Sequence, residues 1–282
     1  MTAEILDGRK ISALVLDGVK QRVQGLEESG IHPTLCFVTI GESEPALMYV
    51  SRLEKLAGRV GISICRKSLP LDVSLGDLDS EVATLNADDH VDGILVQMPL
   101  PQHLTAVDLS MIIDARKDVD GLTVHNAGKL YLGMSGQVPS TALAMTHILH
   151  VSGIDPMGLH AVVVGRSNVV GHPVAELLLQ CDATVTVAHR TTRDLGAVTR
   201  GADILMVGAG EPHLITADMV KPGVVIIDAG INPTESGVVG DVDFQACREV
   251  ASAITPVPGG VGPVTNAIVL RNLVDSAEQR FG

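Results

Sequence analysis

Short apolar runs rich in β-branched residues alternate along this chain with longer stretches whose apolar residues recur at helical spacing. The runs predict buried strands at Leu35–Ile40, Gly93–Gln97, His160–Val164, Ala183–Ala188, Ile204–Val207 and Val224–Ile227. The longer stretches predict helices at Ser12–Gly25, Leu47–Val60, Leu78–Ala87, Thr141–Val151, His172–Cys181 and Asn266–Phe281. This alternation indicates an α/β protein with parallel sheets.

The alternation falls into two series that divide near residue 145. We predict two α/β domains, the second a Rossmann-like doubly wound parallel sheet, with a cleft between the two. The first comprises residues 1–144 together with the last helix, 266–282, and the second comprises residues 145–265. No internal repeat or low-complexity tract interrupts this arrangement.

Composition narrows the class of protein. Hydrophobic residues make up 46% of the 282 residues but aromatic residues only 2%, so the core is expected to be aliphatic. A net charge of −13 disfavours nucleic-acid binding, because no basic patch replaces phosphate counterions. No apolar run approaches the roughly 20 residues that span a bilayer. The four cysteines show no CxxC spacing, so we expect a cytoplasmic protein without a disulfide framework or a metal.

A candidate nucleotide site lies in the second half, at residues 161–173, where a buried strand leads through a glycine-bounded turn into a helix. Backbone N–H groups and the helix N-terminus at such a turn can hold a pyrophosphate. Gly165 permits the tight turn and Gly171 permits close packing of helix on strand. Ser167 stands where the usual G-x-G-x-x-G fingerprint has its second glycine, so a turn without a ligand remains an alternative.

The end of the next strand indicates which dinucleotide is bound. An NAD-binding fold usually places an acidic residue there for the ribose 2′-hydroxyl, but residues 189–192 read His-Arg-Thr-Thr. Arg190, with Arg166 in the first loop, suits a 2′-phosphate and so favours NADP over NAD. A solvated basic loop is the alternative. Small residues at two later strand ends, 208–210 and 228–232, leave room for a nicotinamide.

The first half contains three residues suited to a heterocyclic ligand. Gln97 ends a buried strand and offers one acceptor and two donors. Asp120 lies in a glycine-anchored loop at Lys117–Gly121, and Tyr49 on a predicted helix could stack on an aromatic ring. Each residue taken singly is also compatible with a structural role.

The segment Pro256–Thr265 combines three prolines with three glycines just before the last helix. Proline fixes the backbone angle φ, whereas glycine allows φ values that other residues avoid. The alternation of the two predicts a rigid loop rather than a flexible linker. Such a loop could press against a flat ligand, or could be an ordinary turn between a strand and a helix.

Taken together and in order, these segments resemble the methylenetetrahydrofolate dehydrogenase/cyclohydrolase family. The resemblance rests on Tyr49 in its helix, Asp92–Pro101, Lys117–Gly121, Gly165–Pro173, Asp228–Asn232, Gly240–Asp243 and Pro256–Thr265, and extends over nearly the whole chain. It implies a homodimer that binds NADP on the second domain and folate in the cleft. Hydride would pass from methylenetetrahydrofolate to the nicotinamide, and water would then open the methenyl product to 10-formyltetrahydrofolate.

The resemblance also implies roles for individual residues. Tyr49 would stack on folate, Gln97 and Asp120 would orient the pterin, and these three are the candidate catalytic residues. The Pro256–Thr265 loop would lie where nicotinamide and folate meet, with Pro258, Gly259 and Gly260 against the substrate. The candidate cofactor-binding residues are Gly165, Arg166, Ser167, Val170, Gly171, His189, Arg190, Ile231 and Thr265.

Three positions depart from the family pattern, all in the folate half. Leu53 stands where the family has a lysine, Ala46 replaces a serine, and Pro139–Ala142 reads Pro-Ser-Thr-Ala rather than Pro-Cys-Thr-Pro. The family lysine assists water attack, and general acid–base help is worth roughly 10²–10⁴-fold, so Leu53 predicts a weak or absent cyclohydrolase. Lys55 projects from another helix face, and Arg52 cannot readily give up a proton.

Two further functions stay open. A repositioned group or a water chain could restore the full bifunctional activity. Alternatively, the chain could be a paralogue that binds a nucleotide or a pterin without efficient catalysis.

Overall fold

The computed structural model describes residues 2–41, 44–235 and 237–281, with the side chains of 44–47 and 281 left out. The strands are β1 Glu4–Ile5, β2 Thr34–Ile40, β3 Ser63–Leu69, β4 Gly93–Val96, β5 His160–Val164, β6 Thr184–Ala188, β7 Ile204–Val207, β8 Val225–Asp228, β9 Asn232–Thr234, β10 Gly237–Val239 and β11 Ala253–Ile254. The helices are α1 Gly8–Glu28, α2 Glu44–Val60, α3 Leu75–Ala87, α4 Ala106–Ile112, α5 Val124–Tyr131, α6 Ser140–Val151, α7 Gly171–Gln180, α8 Leu195–Thr199, α9 Phe244–Cys247 and α10 Val261–Phe281.

The chain forms two compact units. Residues Met1–Ala13 and Thr141–Thr265 form the six-stranded unit, and residues Leu14–Ser140 and Asn266–Gly282 form the three-stranded unit. The predicted domains placed residues 1–13 with the first half of the chain. The structure groups them with the second half, because β1 pairs in parallel with β11 through Glu4↔Ala253 and Ile5↔Ile254.

The six-stranded unit is built on a parallel sheet with the order β1-β11-β8-β7-β5-β6. β5 lies between β6, which follows it in the chain, and β7, so the direction of winding reverses at β5. Ligands of doubly wound sheets bind at such a reversal, beyond the carboxyl ends of the strands. The predicted α/β class with a Rossmann-like second domain is therefore confirmed.

The core of the six-stranded unit is aliphatic, as the composition predicted. Val162, Leu205 and Ile226, from three adjacent strands, are fully buried together. Strands buried on both faces read as continuous apolar runs, which is why the sequence pattern located β5 and β7 to the residue. No helix among the described residues has the length and apolarity to cross a membrane.

The three-stranded unit has a parallel sheet with the order β3-β2-β4. Leu78, Val82 and Leu85 of α3 pack with the buried side chains of this sheet. The last helix, α10, belongs to the same unit from Asn266 onward. A Cβ added to Gly93 of β4 would lie 2.6 Å from the Leu273 side chain of α10, so glycine sets how closely the helix approaches the sheet.

Several contacts pin α10 within this unit. The Arg22 guanidinium of α1 forms ion pairs with Asp275 and Glu278, each at 2.6 Å. Gln137 donates its amide to the Asn272 carbonyl at 2.9 Å and to the Ser276 hydroxyl at 2.9 Å. The expectation that the last helix returns to the first half of the chain agrees with these contacts.

The sequence pattern missed β3 because that strand is polar. Its residues, Ser-Ile-Cys-Arg-Lys-Ser-Leu, are half-buried or exposed, as suits an edge strand. The prediction that Pro256–Thr265 is a loop throughout was wrong in its second half. Residues 261–265 form the first turn of α10, where Thr265 donates its hydroxyl to the Val261 carbonyl at 3.2 Å. Pro263 fits there because the first helical turn does not need its N–H.

Candidate functional sites

Tyr49, Asp120 and Gln97, predicted to bind one ligand, all lie in the three-stranded unit. Tyr49 is half-buried on α2, and its ring meets Phe37 of β2 at a centroid distance of 6.0 Å and an interplanar angle of 54°. Burial raises the pKa of the Tyr49 phenol, and the negative charge of Asp120 raises it further. The phenol therefore stays protonated at neutral pH and can donate a hydrogen bond. The structure thus brings Tyr49 and Asp120 into electrostatic contact.

The loop that holds Asp120 is fixed by its neighbours rather than by Asp120 itself. The Asp118 carboxylate accepts hydrogen bonds from the backbone N–H groups of Leu122 (2.9 Å) and Thr123 (2.8 Å) and from the Asn126 amide (2.9 Å). Gly121 has φ +62°, and an added Cβ would lie 2.5 Å from the Val138 carbonyl carbon. These contacts hold the loop in one conformation without using the Asp120 carboxylate.

Lys117, in the same motif, has a structural role. Its ammonium group is buried and donates to the carbonyls of Leu85 (2.9 Å) and Asp88 (2.7 Å), at the C-terminal end of α3. Burial lowers its pKa, and the helix carbonyls provide the partners that a buried cation needs. The lysine of the Lys117–Gly121 motif therefore anchors the loop to α3.

The Asp120 carboxyl has a perturbed pKa. Burial raises this pKa to about 6, and the negative charge of Asp118 adds to the increase. Hydrogen bonds from Ser140 oppose it, including one from the backbone N–H at 3.4 Å. Ser140 occupies the position of the family cysteine in Pro139–Ala142, so this departure lies beside a predicted site residue. At neutral pH the group is mainly a carboxylate, which accepts hydrogen bonds.

Gln97 follows β4 directly, and the loop containing Asp120 runs along the same strand. Ile94 of β4 forms a bridge with Asp118, and its N–H donates to the Lys117 carbonyl at 2.7 Å. Gln97 donates its side-chain amide to the Met98 carbonyl at 2.7 Å, which fixes the side chain. Its carbonyl oxygen has no protein partner among the described residues. The strand end thus offers an acceptor beside the loop that carries Asp120.

Leu53 lies one helical turn after Tyr49 on α2 and is 0% exposed. Residues four apart share a helix face, so this position is occupied by an apolar side chain that cannot transfer a proton. Arg52 and Lys55 are exposed on α2, outside the buried stripe that contains Leu53. The side chain of Ala46, the third departure from the family pattern, lies outside the described residues.

The six-stranded unit carries the candidate nucleotide site at the winding reversal. Gly165 follows β5 with φ +133°, and an added Cβ would lie 2.3 Å from the Gly208 carbonyl oxygen at the end of β7. A Cβ on Gly171, at the start of α7, would lie 2.2 Å from the Gly165 carbonyl oxygen. Both glycines are therefore required by close backbone approaches, as the sequence predicted.

The turn between β5 and α7 is closed in part by its own hydrogen bonds. The Ser167 hydroxyl oxygen accepts the Val170 N–H at 3.1 Å, and the Ser167 carbonyl accepts the His172 N–H at 3.0 Å. Among the side chains that the structure describes, none caps the start of α7. An uncapped helix start beside a glycine turn suits a pyrophosphate, because helix N-termini attract anions.

The residues predicted to select the cofactor lie at or near the carboxyl ends of β5 and β6. Arg166 and Arg190 are exposed, and no ion-pair partner is seen for either among the described side chains. His189 is half-buried, with its N–H bonded to the Thr192 hydroxyl at 2.9 Å and its ring Nδ1 bonded to the Thr191 hydroxyl at 2.9 Å. Two exposed guanidinium groups at this edge fit an additional phosphate.

Two buried aspartates organise the neighbouring strand ends, a role that the sequence did not reveal. Asp241 is 0% exposed and accepts the N–H groups of Ala209 (2.6 Å), Gly210 (2.8 Å) and Glu211 (3.0 Å). Its carboxylate also accepts the Asn232 amide at 2.8 Å. The loop after β7 is therefore wrapped around one carboxylate. The sequence signal was the pair of motifs Asp228–Asn232 and Gly240–Asp243, which gave no indication that they interlock.

Asp228, at the end of β8, is the second of these aspartates. It accepts the N–H groups of Gly230 (2.8 Å), Asp241 (3.2 Å) and Val242 (3.0 Å). Burial raises its pKa to about 7, and the charge of Asp241 contributes to the increase. A Cβ on Gly240 would lie 2.0 Å from the Asp228 carboxylate, so glycine is needed there. Ile231, the predicted cofactor contact after β8, is 67% exposed.

The loop at residues 256–260 is held by the start of α1. Gly8 donates its N–H to the Gly259 carbonyl at 2.9 Å, and a Cβ on Gly8 would lie 1.7 Å from the Gly260 carbonyl oxygen. Gly259 has φ +113°, a backbone conformation that favours glycine. The predicted rigidity of this part of the segment therefore has a structural basis.

Comparisons with known proteins identify the family. The catalytic domain of tetrahydrofolate dehydrogenase/cyclohydrolase matches residues 6–120, and the NAD(P)-binding domain of that family matches residues 139–281. A bifunctional protein FolD from Campylobacter curvus is 45% identical over 278 residues, covering 98% of this chain and 96% of the relative.

Solved structures give the same result. The bifunctional FolD enzyme of Campylobacter jejuni superposes with a TM-score of 0.96 at 42% identity, covering 99% of both chains. The Trypanosoma brucei dehydrogenase-cyclohydrolase, solved with NADP and an inhibitor, gives a TM-score of 0.95 at 35% identity, covering 100% of this chain and 99% of that one. This chain therefore belongs to the tetrahydrofolate dehydrogenase/cyclohydrolase family.

Proposed function

We propose that the chain is an NADP-dependent 5,10-methylenetetrahydrofolate dehydrogenase of one-carbon metabolism with a weak or absent methenyltetrahydrofolate cyclohydrolase activity. The dehydrogenase is supported by the two family domains and by relatives of solved structure that carry this activity in their names. The observation that separates the two activities is Leu53, which is fully buried one turn from Tyr49.

In the three-stranded unit, Tyr49, Gln97 and Asp120 bind and orient the folate. The Tyr49 ring provides a stacking face, and its protonated phenol donates a hydrogen bond. The Asp120 carboxylate and the Gln97 carbonyl oxygen accept hydrogen bonds from the N–H groups of the pterin. No proton donor is needed to form the methenyl cation, so orientation by these residues supplies the main acceleration.

In the six-stranded unit, the turn at Gly165–Gly171 holds the pyrophosphate, and Arg166 and Arg190 pair with the 2′-phosphate. When bound, NADP⁺ accepts the hydride. Val170, His189 and Ile231 line the remainder of the cofactor site, and the loop at Pro258–Gly260, followed by Thr265, borders the nicotinamide. The proposal is supported by the backbone of the turn, because the close approaches at Gly165 and Gly171 leave no room for side chains there.

The hydrolytic step has a different requirement. Water that attacks the methenyl carbon must lose a proton, and a nearby base accelerates such a step roughly 10²–10⁴-fold. Leu53 offers no base, while Arg52 and Lys55 are exposed on other parts of the α2 surface. We therefore infer that the methenyl product leaves largely unhydrolysed.

A paired assay tests the proposal. Purified protein is given methylenetetrahydrofolate with NADP⁺ or NAD⁺, and methenyltetrahydrofolate is given separately. We expect reduction of NADP⁺ in preference to NAD⁺, with methenyl loss close to the spontaneous rate. Binding of NADP⁺ without turnover would instead indicate a non-catalytic binding protein.

Full bifunctionality is the second candidate, because the relatives named above are called bifunctional. A large enzyme-dependent excess of methenyl hydrolysis in the same assay would establish it. The proposal also includes a cytoplasmic homodimer, supported by the family resemblance. Light scattering of the purified protein tests the dimer directly.

A further inference from the structure

Two cysteines lie side by side in the sheet of the three-stranded unit. Cys36 of β2 and Cys65 of β3 are direct partners in the parallel register. Their Sγ atoms are 3.2 Å apart, closer than two sulfur atoms in ordinary van der Waals contact. Neither is in a disulfide in this structure. We propose that Cys36 and Cys65 are a redox-active dithiol, a site at which a peroxide forms an intramolecular disulfide that thiols reverse.

The geometry allows the bond with a small movement. Adjacent strands are about 4.8 Å apart, within the range of roughly 4.4–6.8 Å that disulfides require between Cα atoms. The S–S bond length is about 2.05 Å, so the two sulfur atoms must approach by about 1 Å from their present separation. β3 is the edge strand of this sheet and can shift more easily than β2, which is paired on both sides.

The two thiols have distinct roles because their environments differ. Cys36 is 0% exposed, and its S–H donates to the Cys65 sulfur. Burial raises the pKa of Cys36, and the bond to Cys65 adds to this, so Cys36 keeps its proton. Cys65 is half-exposed on the edge strand and is the sulfur that a small oxidant reaches first.

A cation lies close to the pair. Lys67 is two residues after Cys65, on the same face of β3, and interacts electrostatically with both sulfur atoms. Its ammonium is also paired with Glu81 of α3 at 2.9 Å. Attack on a peroxide requires negative charge on sulfur, and Lys67 is a neighbouring cation.

The reaction proceeds in two balanced steps. The Cys65 thiolate attacks one peroxide oxygen, the O–O bond breaks, and the leaving hydroxide takes up a proton to become water. The resulting sulfenic acid is then attacked by Cys36, which loses its proton as the S–S bond forms and the S–O bond breaks, releasing a second water. Overall, two thiols and one peroxide give one disulfide and two waters, with both sulfurs oxidised and both peroxide oxygens reduced.

This site is independent of the proposed function, although it lies near the residues invoked for it. Phe37, the next residue after Cys36, is the side chain that packs on Tyr49. Cys36 also pairs with Ile94 of β4, the strand that ends before Gln97. The oxidation test below uses covalent chemistry alone, so it succeeds or fails irrespective of the activity of the enzyme.

The test uses the full chain carrying Cys181→Ser, which removes an exposed thiol that could join two molecules. Stoichiometric hydrogen peroxide is added to the folded protein, remaining thiols are blocked after denaturation, and peptides are analysed by mass spectrometry with and without dithiothreitol. We expect loss of two thiols, a mass lower by two hydrogens, and one linked peptide pair containing Cys36 and Cys65. Dithiothreitol should restore both thiols.

Two matched variants serve as controls. Cys36→Ser and Cys65→Ser, each in the same background, should give no intramolecular link. In the first variant, Cys65 should instead proceed to sulfinic acid because no second thiol traps the sulfenic acid. The proposal is overturned if the parent protein stays folded, as judged by circular dichroism, while Cys65 is oxidised to sulfinic acid without a link. It is also overturned if both thiols survive peroxide that oxidises the exposed Cys181 of the unmodified chain.

Discussion

Placing a lysine at position 53 tests whether the missing side chain limits the hydrolytic step. Leu53 is fully buried on α2 and lies on the face that carries Tyr49. In Leu53→Lys the methylene stem can replace most of the apolar packing, but the amine must enter a region shielded from water. The same change therefore affects both stability and catalysis.

The stability cost follows from burial of the charge. Buried lysines have pKa values lowered by up to 3–5 units. A decrease of about 2–3 units costs about 3–4 kcal/mol at neutral pH, since one unit corresponds to about 1.4 kcal/mol. For a chain of this size, that free energy lowers the melting temperature by roughly 5–7 °C. Leu53→Met keeps the volume and carries no charge, so it should cost less than about 1.5 kcal/mol.

The lowered pKa of the buried lysine is also the reason to expect faster hydrolysis in Leu53→Lys. A lysine pKa lowered to roughly 8 places the amine near the range in which general bases work best. We expect Leu53→Lys to hydrolyse methenyltetrahydrofolate at least about 10-fold faster than Leu53→Met, within the roughly 10²–10⁴-fold range of general acid–base catalysis. The assay follows loss of the methenyl compound, corrected for the spontaneous rate, after calorimetry has shown that both variants are folded. The argument from this position is refuted if Leu53→Lys is folded and active as a dehydrogenase but hydrolyses methenyltetrahydrofolate no faster than Leu53→Met.

Three further changes have defined outcomes. The KM for methylenetetrahydrofolate should rise as pH falls through about 6, because Asp120, whose pKa is raised to about 6, then loses the carboxylate that accepts hydrogen bonds. Asp120→Asn should have a high KM without this pH dependence. Parallel pH profiles of KM in the two proteins would contradict the assignment. The double variant Arg166→Ala/Arg190→Ala should raise the KM for NADP⁺ by about 10–100-fold, which corresponds to one or two charge-assisted hydrogen bonds. The KM for NAD⁺ should stay unchanged. An equal rise in KM for both cofactors would show that neither arginine binds the 2′-phosphate. Gly171→Ala should weaken NADP binding in a titration and destabilise the chain by about 1–3 kcal/mol, because its Cβ would lie 2.2 Å from a carbonyl oxygen. Gly58→Ala should leave binding unchanged, because beyond its own helix backbone and chain neighbours its Cβ would meet no described atom within 4 Å.

The sequence predicted the fold well where burial dictates the pattern. β5 and β7 are covered on both faces, so their apolar runs marked their ends accurately. β3 escaped detection because one edge strand can be polar and still pair in the sheet. The short strands β1 and β11 were also missed, since two residues each carry no periodicity. Their pairing nevertheless determines the unit to which the N-terminus belongs.

The candidate sites were predicted from residue types at strand ends, and the supporting groups were not. Gly165 and Gly171 could be assigned because a tight turn and a close helix approach leave few alternatives to glycine. The roles of Lys117 and Asp241 were hidden, because each acts on backbone groups about 30 residues away in the chain. Single-sequence patterns report local spacing and cannot show which carbonyl or N–H a buried charge meets.

The most direct test of the central claim measures how products divide during one reaction. Methylenetetrahydrofolate and NADP⁺ are mixed with the protein, and NADPH, methenyltetrahydrofolate and 10-formyltetrahydrofolate are quantified at early times against an enzyme-free methenyl control. With Leu53 in place, methenyltetrahydrofolate should accumulate nearly one for one with NADPH, and the formyl product should form at the spontaneous rate. Formyl product that keeps pace with NADPH, without accumulation of the methenyl compound, would contradict this account.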